Sequence, residues 1–246
     1  GAPDFTFNYG NEQISESPEA KQFFDELRQK YENGTIKMDD YLKAKQFGLI
    51  NVQRPTLAQN LDYFITFQNY FYFVRYLLWN YSGRQNDVEG HMENTHGNFI
   101  TGIPFIDDNL WGDQSEMPAK FQNESTVKFF MLPLILGLIG FFFQLNRDFG
   151  RFYSILSLFI LTSVMIVFYT GMKPFEPRER DYAMVGSFYA FAIWIGLGVA
   201  AIYWLIQKKI KTKGAQILVG VVLLGVPMMM GFQNYNVHDR SGRYAA

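Results

Sequence analysis

The fold turns on residues 173–198, KPFEPRERDYAMVGSFYAFAIWIGLG. Six charges in the nine residues from Lys173 to Asp181 give way there to an aromatic, glycine-spaced run without charge. The run extends from Met184 to Ile206, and three more share its character: Phe129–Leu145, Phe152–Gly171 and Ala215–Phe232. Each is near the ~20 residues that cross ~30 Å of hydrocarbon, so the pattern predicts four transmembrane helices over residues 128–232. Four such runs leave almost no polar face to meet water, which argues against core helices of a soluble protein. Pro133 and Pro227 are expected to kink the first and last span.

The short connections set the orientation. NRDFGR (146–151) carries Arg147 and Arg151 against Asp148, and QKKIKTKG (207–214) carries four lysines and no acid. Basic loops stay cytoplasmic. The other face then receives residues 1–127, the charge cluster 172–183 and the tail 233–246. Composition divides along the same line: residues 1–127 hold 18 acidic and 10 basic side chains, residues 128–246 hold 5 and 12. The absence of cysteine excludes a disulfide framework, a thiolate metal site and a cysteine nucleophile. Phosphate-loop, nucleophile-elbow and zinc-helix motifs are missing, and the basic residues are juxtamembrane, so nucleic acid is not an expected partner.

Residues 1–127 read as a mainly helical, loop-rich extracytoplasmic region. SPEAKQFFDELRQKYEN (17–33) has a Ser-Pro start and Gly34 past its end, an amphipathic helix, and KMDDYLKAKQFGL (37–49) suggests a second. Residues 57–80 pack aromatic rings around Arg75, with Gln59, Asn60, Asp62, Gln68 and Asn69 interspersed. That mixture suits a helix at the membrane boundary, with a fifth span pierced by Arg75 as the alternative. The Gly/Asn-rich stretch 83–120 lacks periodicity and reads as a long ordered loop. Its His91 and His96 match no strong ligand spacing, so no metal is assigned.

Arg178 and Arg180 precede the third span, and His238, Arg240 and Arg243 follow the fourth. Antiparallel spans bring these groups to one face, where guanidinium forks suit a lipid phosphate. The competing reading pairs them with Glu176, Glu179 and Asp181 as a solvated, neutral surface.

The runs FVRYLLWNYSGRQND (73–87), GNFITGIPFID (97–107), EPRERDYAMVGSFYAFAIWIGLG (176–198) and HDRSGRY (238–244) resemble protein O-mannosyltransferase-like, multi-spanning membrane proteins of Bacteroidota, a family defined by a domain of unknown function. The resemblance runs from about residue 59 to the end. It implies a GT-C glycosyltransferase of the bacterial inner membrane, with large loops in the periplasm. Such an enzyme moves a sugar from a polyprenyl-phosphate donor to the hydroxyls of an acceptor protein. It implies no cofactor. The catalytic acid of that class lies in the first extracytoplasmic loop, so this chain reads as an internal or C-terminal piece with no catalytic residue of its own. Arg178, Arg180, His238, Arg240 and Arg243 then become candidates for the lipid phosphate, with Asp181 and Asp239 orienting them. The alternative is a non-catalytic membrane scaffold or a transporter segment. Ion-coupled transport is disfavoured because the spans hold no ionisable residue.

Overall fold

The computed structural model describes residues 5–11, 17–52, 55–90, 93–172, 179–209 and 211–238. The chain is mostly helical with little strand, and it divides into two compact units, Gly1–Leu61 and Asp62–Ala246.

In the first unit, strand β1 (Phe5–Phe7) pairs antiparallel with β2 (Ile50–Val52), Phe5 opposite Val52. Helix α1 (Pro18–Glu32) begins where the sequence predicts. Ser17 caps it by accepting from the Ala20 amide, and Gly34 beyond its end takes the left-handed φ of +66° that glycine tolerates. Its buried Phe24 and Leu27 meet Tyr41 and Ala44 of α2 (Met38–Gln46) and Leu49 and Ile50. Lys30 bridges Glu26 and Asp40, joining α1 to α2 at the surface. A short helix, α3 (Leu57–Asp62), closes the unit's sequence.

The second unit opens on a π-helical stretch, Tyr63–Val74, that leads into α4 (Arg75–Tyr81). Aromatic residues recur every fourth position here. Tyr63 stacks on Phe67 and Phe67 on Phe71, with centroids 5.3 and 5.6 Å apart, and the Arg75 guanidinium then lies between the Phe71 and Trp79 rings at 4.0 and 4.6 Å. This aromatic helix is not among the helices long and apolar enough to cross a membrane. It runs antiparallel to the C-terminal half of the second apolar run, as Phe73 meets Phe159, Phe64 meets Phe168, and the Gln68 amide donates to the Met172 carbonyl.

Three helical runs are long and apolar enough to cross: Phe149–Thr170, Asp181–Lys209 and Lys213–Tyr235. They point to a membrane-embedded protein. The first predicted span forms a shorter helix, α6 (Leu132–Arg147), since residues 129–131 are spent on a tight turn with Phe130 and Met131 at positive φ. Pro133 does not kink α6. It lies in the first turn, where its missing N–H leaves no helix bond unmade. The second run is two helices, α7 (Phe149–Leu161) and α8 (Val164–Thr170). At the break, the Thr162 and Ser163 hydroxyls bond back to the Leu158 and Phe159 carbonyls.

Helix α9 (Val185–Lys209) lies at the centre and runs parallel to α6. Gly140 and Gly198 let the two backbones touch: a Cβ on Gly140 would stand 1.8 Å from the Trp194 carbonyl oxygen. Phe141, Phe152, Phe159 and Phe191 pack around Trp194, whose indole N–H donates to buried Gln144 at 2.8 Å. Helix α10 (Lys213–His238) carries Pro227 in its interior, as the sequence suggests. The basic segments after α6 and α9 therefore lie at one end of the unit.

Candidate functional site

The opposite end is built on a small strand pair, β3 (Gly83–Arg84) with β4 (Val127–Lys128), and on the segment between them. The Gly/Asn-rich stretch expected as a long ordered loop makes a polar core. Gln85, Asn86, Asn98, Thr101 and Asp107 are all buried, and buried amides are tolerable only when bonded. The Asn86 side chain donates to the Thr95 and Phe121 carbonyls and accepts from the Gly97 amide. The Gln85 side-chain NH2 donates to the Asn94 carbonyl and the Gln114 amide oxygen. Asp107, on α5 (Pro104–Trp111), accepts from the Thr101 amide and hydroxyl and from the Gly102 amide. Beside this core is an open cavity of about 610 Å³, lined by Gln85, Gln114, Gln122, Asn123, Glu124 and Lys128 among others.

Three links tie this end to the helices. The Lys128 amide donates to the Gln233 side chain near the end of α10. Tyr81 donates its hydroxyl to the Phe188 carbonyl of α9 at 2.6 Å. The firmest link is an ion pair spanning 104 residues. The two terminal guanidinium nitrogens of Arg75, Nη1 and Nη2, reach Glu179 at 3.2 and 2.6 Å, and Tyr76 donates its hydroxyl to the same carboxylate. Arg75 also donates to the Gly97 carbonyl, which fastens the aromatic helix to the polar segment. The Tyr76 hydroxyl accepts from the Arg180 amide in turn, fixing the chain as it enters α9. Burial, then the Glu179 charge, pushes the Tyr76 phenol well above its ordinary range.

The sequence-derived candidates distribute as follows. Arg180 and Asp181 stand at the entry to α9, and Asp181 opens a short 3₁₀ turn, Asp181–Met184. Arg178, Asp239, Arg240 and Arg243 lie outside the described residues; His238 is the last residue of α10, and its side chain is likewise outside them. Glu179 has two partners that the sequence did not suggest for it, Arg75 and Tyr76. Sequence reasoning missed Arg84. Its Nε donates to the Ser125 carbonyl and its guanidinium lies 5.8 Å from the Trp79 ring. Burial lowers the Arg84 pKa, while the charges of Asp87 and Asp181 act in the opposite direction. The signal was present in SGRQND, an arginine directly after the aromatic helix. His96 contacts the Thr95 hydroxyl and the Phe121 ring, and His91 lies outside the described residues. Among the described residues no cluster of His, Asp or Glu could hold a metal ion.

Put together, the geometry gathers cations, a buried tyrosine and an amide-lined cavity where two long apolar helices end. Such a place can hold an anion on one side and hydroxyl-rich polar groups on the other. Comparison of the chain with protein-family models, curated proteins and solved structures returns no match.

Proposed function

We propose that this chain forms the extracytoplasmic face of a membrane glycosyltransferase, one that takes a sugar from a polyprenyl phosphate and delivers it to protein hydroxyls. The observation that carries the reading is convergence. Asp181, at the entry to α9, comes within electrostatic reach of Arg84, and Gln233 of α10 meets Lys128, so the start of one long apolar helix and the last turns of the other approach one strand pair. In this reading α6 makes a fourth crossing. At ~24 Å it is shorter than the hydrocarbon and is met by local thinning. The two basic ends are cytoplasmic, and the strand pair faces the periplasm of a bacterial inner membrane.

The chemistry asked of this face is electrostatic. Transfer leaves charge on the departing lipid phosphate, so donors fixed in advance stabilise the transition state more than the ground state. Arg178, Arg180, Arg240 and Arg243 supply that field together with Arg84, and His238 supplies a hydrogen bond or proton. Asp181 and Asp239 orient the cations. The catalytic acid comes from outside this chain.

A second reading has its own observation. Glu179 is occupied by Arg75 and Tyr76, so part of the charge cluster is a clasp, as in a scaffold. The test reconstitutes the membrane protein carrying this chain with radiolabelled polyprenyl-phosphate sugars and membrane acceptor proteins, and compares it with Arg180→Ala and Arg240→Ala. Transfer that falls at least tenfold in folded, inserted variants supports the transferase. Transfer unchanged by both substitutions, or absent with every donor, leaves the scaffold.

A further inference from the structure

At the opposite, basic end, α6 and α9 leave a groove of about 670 Å³. Its walls are apolar, Ile135, Leu138, Ile139 and Phe142 on one side and Ala201 and Leu205 on the other, and Trp204 and Arg147 stand at its mouth. The mouth is unusual in charge. The Arg147 guanidinium lies 5.1 Å from the Trp204 ring centroid, and Lys208 places its ammonium 3.5 Å from the same centroid. One indole therefore carries two cations. Among the described residues lining the groove there is no carboxylate, and the nearby acid, Asp148, is paired with Arg151. Two like charges held against one ring repel each other, and an anion within reach of both offsets that repulsion. The walls cannot supply one.

We propose that this groove holds an anionic phospholipid, with one acyl chain between α6 and α9 and its phosphate between Arg147 and Lys208. The ligand follows from the combination. The apolar slot takes a lipid tail, Trp204 sits where an indole meets the headgroup level, and a planar guanidinium beside an ammonium matches a phosphodiester. Basic pockets between helices at a cytoplasmic face are a recognised form of headgroup site. A lipid without phosphate would fill the slot but offer the cations no anion, and a zwitterionic phospholipid would bring its phosphate together with a cation of its own, adding positive charge to a mouth that already holds two. The inference rests on membrane embedding and not on sugar transfer.

The test uses nanodiscs of equimolar phosphatidylglycerol and phosphatidylcholine with matched chains, and reads the lipids retained on the extracted protein by native mass spectrometry. The wild-type protein is expected to retain phosphatidylglycerol in excess. Arg147→Gln and Lys208→Gln should each reduce that excess about fivefold. Lys211→Gln with Lys213→Gln, at the same end but without the contact to the Trp204 ring that Arg147 and Lys208 make, should preserve it. Leu205→Trp fills the slot and keeps both cations, so it should abolish retention and covers the case in which the charge variants fold poorly. Equal retention of both lipids by the wild type overturns the proposal, as does equal loss in the Lys211/Lys213 variant. Displacement of the lipid by soluble glycerol phosphate would assign the site to free phosphate and overturn it too.

Discussion

Helices α9 and α10 have almost the same length, 25 and 26 residues, and similar apolarity, yet they are packed very differently. Of the apolar window of the run containing α9, 33% is buried; of that of α10, none is. The difference lies in where small residues fall. Gly198 of α9 faces Gly140, while Phe188, Phe191, Trp194 and Ile195 bury one broad face. Glycines also punctuate α10, but an added Cβ on Gly225 or Gly231 meets nothing within 4 Å. Apolarity takes a helix out of water; it does not choose the helix's partner. In lipid that choice falls to close backbone approach and shape.

The largest effect should come from breaking that approach. Gly140→Leu places carbon against the backbone of Trp194 and Gly198, atoms that cannot rotate away, so α6 and α9 must separate. We expect a loss of about 3 kcal/mol or more, read as a lowered midpoint in thermal unfolding followed by tryptophan emission, which Trp194 at this contact reports. An unchanged midpoint would mean the two backbones do not touch.

Next is the clasp. Arg75 is 3% exposed and Glu179 20%, so Arg75→Ala leaves a carboxylate largely buried and unpaired. The expected cost is about 3 kcal/mol, at the low end of such losses because water reaches Glu179. Replacing both partners with methionine should cost less than Arg75→Ala alone, since no orphan charge remains; a larger cost for the double variant would show that the ring stacking of Arg75 matters more than its charge.

Tyr76 adds a pH dependence to the same clasp. Its folded pKa is raised above the ordinary 10.0, so the folded chain keeps a proton that the unfolded chain has released. The stability this gives is complete below the unfolded value and is lost as pH rises through the folded one. Unfolding midpoints in urea should therefore fall from about pH 10 upward. Tyr76→Phe should flatten that fall, leaving the shares due to Tyr81, Tyr70 and Tyr63, which burial shifts the same way, and to Lys30, raised by its bonds to Glu26 and Asp40. A slope identical in Tyr76→Phe would remove Tyr76 from the account.

How much of this was legible follows from the range of each signal. The Ser17 cap, the apolar runs and the basic connections are local, and the structure places helices where they indicate. The break at Thr162–Ser163 was hidden because two hydroxyl residues inside an apolar run usually stay helical, and Pro133 misled because a proline's effect depends on the turn it occupies. Gln85, Asn86 and Asn98 look like loop surface by composition, and only their mutual bonding makes them a core. The Arg75–Glu179 pair joins residues 104 positions apart, which no spacing rule reaches. At the candidate site, Arg180 and Asp181 were legible as charges at a helix entry, whereas Arg84 became a candidate only once β3 turned it toward Trp79.

The smallest expected effect is the sharpest check on the opening contrast. Gly225→Leu is as large a change as Gly140→Leu, on a helix of similar apolarity, but its side chain enters open space. We expect a shift within about 0.5 kcal/mol, with helix propensity favouring leucine over glycine. If both substitutions are measured in the same lipid and Gly225→Leu is the silent one, position and not glycine content governs the packing. A destabilisation approaching that of Gly140→Leu would mean that the open face of α10 is covered in the membrane. The partner would then have to approach as closely as α6 approaches α9, because only a backbone in contact with Gly225 could oppose the added carbon.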